Sequence, residues 1–153
     1  MFKHKSSHIV MAILLGFVAI IVMVVYQSSK KELQTNGKLI TNNIAFSGVI
    51  TNLNVSENHA FGILQLKILE TNNNSYNFKA QNYIFPYQIK DSIAEIYTHI
   101  STLEIKKGYR AVVNSNNKTI TVFDGAKLLY EWDIYIVKDE TDINFVKANT
   151  IFE

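Results

Sequence analysis

The chain has no cysteine, a single proline and only six glycines among its 153 residues. Without thiols it cannot form disulfides, thiolate zinc sites, a thiol nucleophile or a lipidated N-terminal cysteine. Charge is sparse too, at 18% of residues. Beyond the N-terminal flank there is no Gly-x-Ser-x-Gly elbow, no His-x-x-x-His pair and no calcium-loop pattern. What is abundant is apolar: 48% of residues are hydrophobic and 12% aromatic. That excludes a disordered chain, and the length suits one ordinary domain with a small appendage.

The longest apolar run is Ile9–Tyr26, which carries no charge. At about 1.5 Å per residue it makes a helix about 27 Å long, close to the ~30 Å hydrocarbon core of a bilayer. Tyr26 would sit among headgroups at the far end. A cleaved signal peptide would need a small-x-small site after the run, and Gln27-Ser-Ser-Lys-Lys31 offers none. The reading is therefore a transmembrane helix over 9–26 behind a short flank at 1–8. A polar tether over 27–43 and a globular domain over 44–153 follow. A short first flank usually stays inside, so the N-terminus is expected in the cytoplasm and the domain on the extracytoplasmic side. Ala12 and Gly16 form a small-xxx-small pair that could bring two such helices together.

The positive surplus belongs to the membrane flanks. Residues 1–38 hold five lysines against Glu32, net +4, while the rest of the chain holds ten basic and twelve acidic groups, net −2. A nucleic-acid binder needs a positive field, and this domain has none.

From Ile44 onward, short runs of period-2 alternation are separated by Asn-rich turns. The runs are 46–55 (with Gly48 as a bulge or close-packing point), 64–68, 76–80, 109–114, 119–123 and 128–137. A further short strand is expected around Ile143–Val146. Over 92–105 the signals conflict. Ser92 and Glu95 fit a capping box, and Ile93, Ile96, Tyr97, Ile100 and Leu103 follow helical spacing, whereas the β-branched and aromatic content favours a strand. A helix is expected over the first half. The fold class is thus a single N-terminal transmembrane helix plus a small mainly-β or α+β domain, a barrel or sandwich of about six or seven strands.

Three short motifs, Phe46-Ser-Gly-Val-Ile50, Asn58-His59 and Asp91-Ser-Ile93, carry a resemblance that spans roughly Phe46 to Phe123. The chain resembles a group of small uncharacterised bacterial envelope proteins with an N-terminal membrane anchor and a β-rich domain. Those proteins often have Gly before the Asp-Ser pair, where this chain has Lys90. The resemblance implies location and architecture; it implies no chemistry.

No residue is singled out as catalytic, cofactor-binding or metal-ligating, and no cofactor is expected. His59 reads as a turn residue, His99 as the polar side of its element or a satisfied core partner, and Ser92 as a cap or turn hydroxyl. Asp139, Glu140 and Asp142 read as a solvated turn between the last two strands. Tyr109, Tyr130, Trp132 and Tyr135 could form an aromatic face for a sugar or peptide, or pack in the core. The expected function is a non-enzymatic envelope module binding another envelope protein or glycan. The bilayer is its other partner, a homo-oligomer is compatible with the helix, and nucleic acid is not expected. The alternative is a membrane-anchored hydrolase of envelope glycans or peptides using Asp91, Glu95, Glu131 and Asp133.

Overall fold

The computed structural model describes residues 3–78, 80–100 and 104–152, and side chains from residue 11 onward apart from those of 12 and 33. The chain divides into two compact units, Met1–Gly37 and Lys38–Glu153.

The first unit is helical. Helix α1 runs Lys3–Ile40, so the polar stretch read as a tether is helical through Ile40. Its stretch Ile13–Ile40 has a mean hydropathy of 1.9 over the most apolar window, and none of that window is buried. By length and composition it can cross a membrane. Its apolar side chains, from Ile13 and Leu14 to Val25 and Tyr26, are exposed in succession rather than along one stripe. A helix that is apolar all round needs an apolar medium on every side. The Ala12 side chain lies outside the described residues, and the space around Gly16 is open.

The second unit is a single antiparallel sheet of eight strands with one helix. In chain order these are β1 (Ala45–Val55), β2 (Phe61–Thr71), β3 (Ser75–Tyr76), β4 (Tyr87–Lys90), β5 (Ile93–His99), β6 (Arg110–Asn114), β7 (Thr119–Asp124), β8 (Lys127–Asp133) and α2 (Glu140–Asn149). Their order across the sheet is β3-β4-β5-β2-β1-β6-β7-β8. The domain is mainly β as expected, but with eight strands rather than six or seven.

Two expectations fail. The helix near 92–105 is strand β5 over its described first part, and residues 101–103 lie outside the described residues. The helical spacing of Ile93, Ile96, Tyr97 and Ile100 arises because β5 is buried on both faces, which erases alternation. Ser92 caps no helix; it follows Asp91, which turns β4 into β5 at φ 56°. Asp tolerates this left-handed conformation, so the turn forms without a glycine at Lys90. The strand expected at Ile143–Val146 is instead the middle of α2. Asp139, far from a turn between strands, is the N-cap of that helix and accepts the Asp142 N–H at 3.1 Å. Glu140 and Asp142 then place negative charge in its first turn, where the helix dipole favours it.

The sheet curls. Trp132 on the edge strand β8 donates its Nε1–H to Thr98 Oγ1 on β5 at 2.8 Å. Five strand spacings separate β5 from β8, about 24 Å in a flat sheet. Beyond β8, Val137 pairs with Ile84 through two backbone hydrogen bonds of 2.9 and 3.0 Å. The concave side encloses the larger core, which includes Phe46, Leu64, Leu66, Tyr87, Ile96, Val113, Val122, Ile134 and Ile136. On the convex side, Phe61, Ile63, Tyr97 and Val137 pack with Val146 of α2, with Ile143 and Phe145 beside it. Burial on both faces explains why Phe61–Leu64 reads as a continuous apolar run.

The central pair β1–β2 approaches closely at two glycines. A Cβ on Gly48, beside a register shift in β1, would sit 2.6 Å from the Lys67 carbonyl oxygen. A Cβ on Gly62 would press into the Asn54 carbonyl oxygen. Each Gly→Ala change is expected to destabilise the domain by about 1–3 kcal/mol, the usual cost of overpacking. Chemical denaturation of the detergent-solubilised chain reads this, and wild-type stability in both variants would contradict the close approach.

Candidate functional site

The Asn58-His59 turn between β1 and β2 is tight. Ser56 Oγ accepts the Asn58 N–H at 3.2 Å, the Asn58 carbonyl accepts the Phe61 N–H at 2.9 Å, and His59 and Ala60 both adopt positive φ, 48° and 57°. His59 is thereby exposed at the turn. In the β2–β5 register Phe61 lies opposite His99, and the two rings meet edge to face with centroids 5.8 Å apart. This pairing carries His99, remote in sequence, to the same corner as His59.

The chain after β8 adds a third contributor. The Tyr135 hydroxyl and His99 Nδ1 lie 2.5 Å apart. Asn58 Nδ2 donates to Asp142 Oδ1 at 2.9 Å, tying the turn to the first turn of α2. Together Asn58, His59, His99, Tyr135, Asp139 and Asp142 line an open cleft of about 450 Å³. Burial pushes the Tyr135 phenol up to about 12, a hydrogen bond with Thr98 opposes that, and the nearby Asp142 carboxylate adds to it. The phenol is therefore neutral across the physiological range. The cleft is lined by two imidazoles, a phenol, two carboxylates and Lys138, with Asp142 buried and already hydrogen-bonded to Asn58. Among the described residues no group of three or more His, Asp or Glu is placed to hold a metal ion.

The other aromatic candidates lie elsewhere. Tyr109, Tyr130 and Trp132 are half-buried against the larger core, so of the four only Tyr135 reaches this cleft. The four carboxylates of the hydrolase reading are dispersed. Asp91 is in the β4–β5 turn, and Glu95 is buried, 2% exposed. Glu131 accepts from Thr121 Oγ1 at 3.2 Å, and Asp133 is exposed at the end of β8. None of them lines the histidine cleft. Sequence reasoning set His59, His99 and the acidic run apart from one another; only strand register and the unforeseen α2 unite them.

The three motifs of the envelope-protein resemblance lie in β1, the β1–β2 turn and the β4–β5 turn. No protein family, curated protein or solved structure matches the chain.

A raised phenol stabilises the folded domain fully below its ordinary value near 10, and that contribution disappears as pH rises toward 12. Stability is therefore expected to fall between about pH 10 and 12, with Tyr87, also pushed up to about 12 by burial, contributing in the same window. Tyr135→Phe should cost about 1 kcal/mol near neutral pH, through the lost hydrogen bond to His99. It should also make the alkaline decline shallower. An alkaline decline as steep as wild type would show that Tyr135 does not contribute.

Proposed function

We propose that this chain is a single-pass membrane protein whose β-rich domain serves as a non-enzymatic recognition or accessory module, binding another component of a bacterial envelope. The observation that carries this reading is helix α1. Its apolar side chains are exposed around the whole circumference and none of its apolar window is buried, and soluble monomers rarely expose so large an apolar surface. A bilayer satisfies that surface without any protein partner. The open histidine cleft, rich in hydrogen-bonding groups, supports a binding role for the domain, and the dispersal of Asp91, Glu95, Glu131 and Asp133 favours binding over hydrolysis. In this reading the N-terminus is cytoplasmic and the domain lies on the outer side.

Placing arginine at Ile20 puts a charge deep in the apolar helix, at a cost of about 2.5–3.5 kcal/mol for insertion. The Ile20→Arg variant is expected to lose a measurable share of carbonate-resistant membrane association; full retention would argue against a spanning helix. Sidedness can be read because the chain has no cysteine. A single Lys127→Cys, exposed on β8, should react with an impermeant maleimide in intact spheroplasts, and labelling only after lysis would reverse the orientation. Crosslinking and affinity purification of the full chain from its own membranes should recover a stoichiometric envelope partner. Recovery of the chain alone would count against the accessory role.

A further inference from the structure

A chain of hydrogen bonds runs from the larger core to the histidine cleft, and its direction is set at its first donor. The Trp132 indole can only donate, so Thr98 Oγ1 accepts from it at 2.8 Å and keeps its own proton free to give. Burial raises the Tyr135 phenol, while hydrogen bonds from the Thr98 side chain and the His99 backbone N–H oppose that shift. A hydrogen bond that lowers a phenol is one donated to its oxygen. A hydroxyl has two lone pairs and one proton, so Tyr135 Oη accepts twice and has only its proton left to place. That proton faces His99 Nδ1, 2.5 Å away.

The nearby carboxylates have donors of their own. Glu95, buried on the same strand as His99, accepts from the Thr150 hydroxyl at 2.6 Å, the Tyr97 hydroxyl at 3.1 Å and the Ile151 N–H at 3.3 Å. Asp142 Oδ1 accepts from Asn58, and Asp139 Oδ1 from the Asp142 N–H. His99 Nδ1 is therefore the acceptor for the phenol, and a ring nitrogen that accepts carries no proton. In the neutral imidazole the proton then sits on Nε2. His99 is exposed and lines the cleft, and its Nε2 makes no hydrogen bond among the described residues. Phe61, edge to face at 5.8 Å, and the Tyr135 ring at 5.7 Å hold the plane of the imidazole.

We propose that His99 is the fixed hydrogen-bond donor of the cleft, locked as the Nε2–H tautomer by the relay from Trp132 through Thr98 and Tyr135, and that the ligand atom it selects is an acceptor oxygen. A ligand group that must donate finds no lone pair at this ring. The tautomer follows from the relay alone, whereas the ligand side rests on the reading of the domain as a recognition module. His59 is the internal contrast. It lines the same cleft, but no hydrogen bond orients its ring among the described residues, so it can donate or accept.

The test uses the full chain in detergent micelles with ¹⁵N-labelled histidine, whose spectrum separates protonated from bare ring nitrogens. At neutral pH His99 should be protonated at Nε2 and bare at Nδ1, and His59 should average between tautomers. Tyr135→Phe and Thr98→Val should each move His99 toward that average, with circular dichroism confirming that the sheet is kept. Diethyl pyrocarbonate, which acylates a bare ring nitrogen, should modify His59 about fivefold faster than His99, and Tyr135→Phe should erase the difference. A proton on Nδ1, tautomer averaging in the wild type, or equal reactivity of the two histidines would each overturn the lock. His99→Gln, which keeps an N–H near the place of Nε2, should retain the crosslinked envelope partner, and His99→Asn should lose it. The reverse pattern, or an equal effect of both, overturns the acceptor assignment. A wild-type chain that recovers no partner overturns the recognition reading instead, and the nitrogen spectrum still decides the tautomer.

Discussion

One hydrogen bond between strands far apart in the sheet governs the shape of this domain: the indole N–H of Trp132 donating to the hydroxyl of Thr98. Thr98 is buried on β5, and a buried hydroxyl left without a partner would be unfavourable. Bringing β8 over to β5 closes the concave face around the larger core. It also sets the register of the residues that follow. Ile134 and Ile136 enter the larger core, whereas Tyr135 and Val137 face the smaller one. The alternation of a strand therefore continues past β8 across the mouth of the curl. The meeting of Tyr135 with His99 depends on that alternation, and so does the cleft they share.

The sequence was informative where one face of an element meets water and the other does not. Val112 and Thr121 alternate with buried neighbours on β6 and β7, and both strands were expected near their observed limits. Helix α1 was legible over its long uncharged run but not over the polar stretch from 27 to 40, which read as a tether. Legibility failed where burial is two-sided. On β5, Ala94 through Thr98 are all buried, so no period of two survives and a fortuitous spacing of three and four suggests a helix. It failed again at α2, whose buried face is only Asp142 and Val146; so few apolar positions leave little periodicity to detect. The histidine cleft was illegible for a related reason. Its members come from a turn, a strand edge, an irregular stretch and a helix start, and only tertiary register relates them. Glu95 reads as a capping-box member or a hydrolase carboxylate in the sequence, and its burial beneath the segment after α2 follows only from the tertiary fold.

The two units distribute their apolar groups differently. Along α1 the apolar groups face outward and the backbone satisfies itself, the arrangement a bilayer demands. In the β unit the apolar groups turn inward, and polar groups find partners within the fold, as where the Tyr87 hydroxyl donates to Asn42 Oδ1 at 2.8 Å. Ile40, the last residue of the long helix, already belongs to the second regime: it is buried in the larger core. The change from outward-facing to buried apolar side chains is thus made within the helix itself, before the first strand begins.

The partners of Glu95 also bear on the order in which the molecule can be completed as it is synthesised. This side chain sits on an inner strand, β5, yet two of its three hydrogen-bond donors, at Thr150 and Ile151, lie 55 and 56 residues further along. Until those residues have left the ribosome, the sheet carries a carboxylate with a single intramolecular donor, which is better left in water than buried. The convex face around β5 can therefore close only once Thr150 and Ile151 have emerged, after β5 has paired with its neighbours.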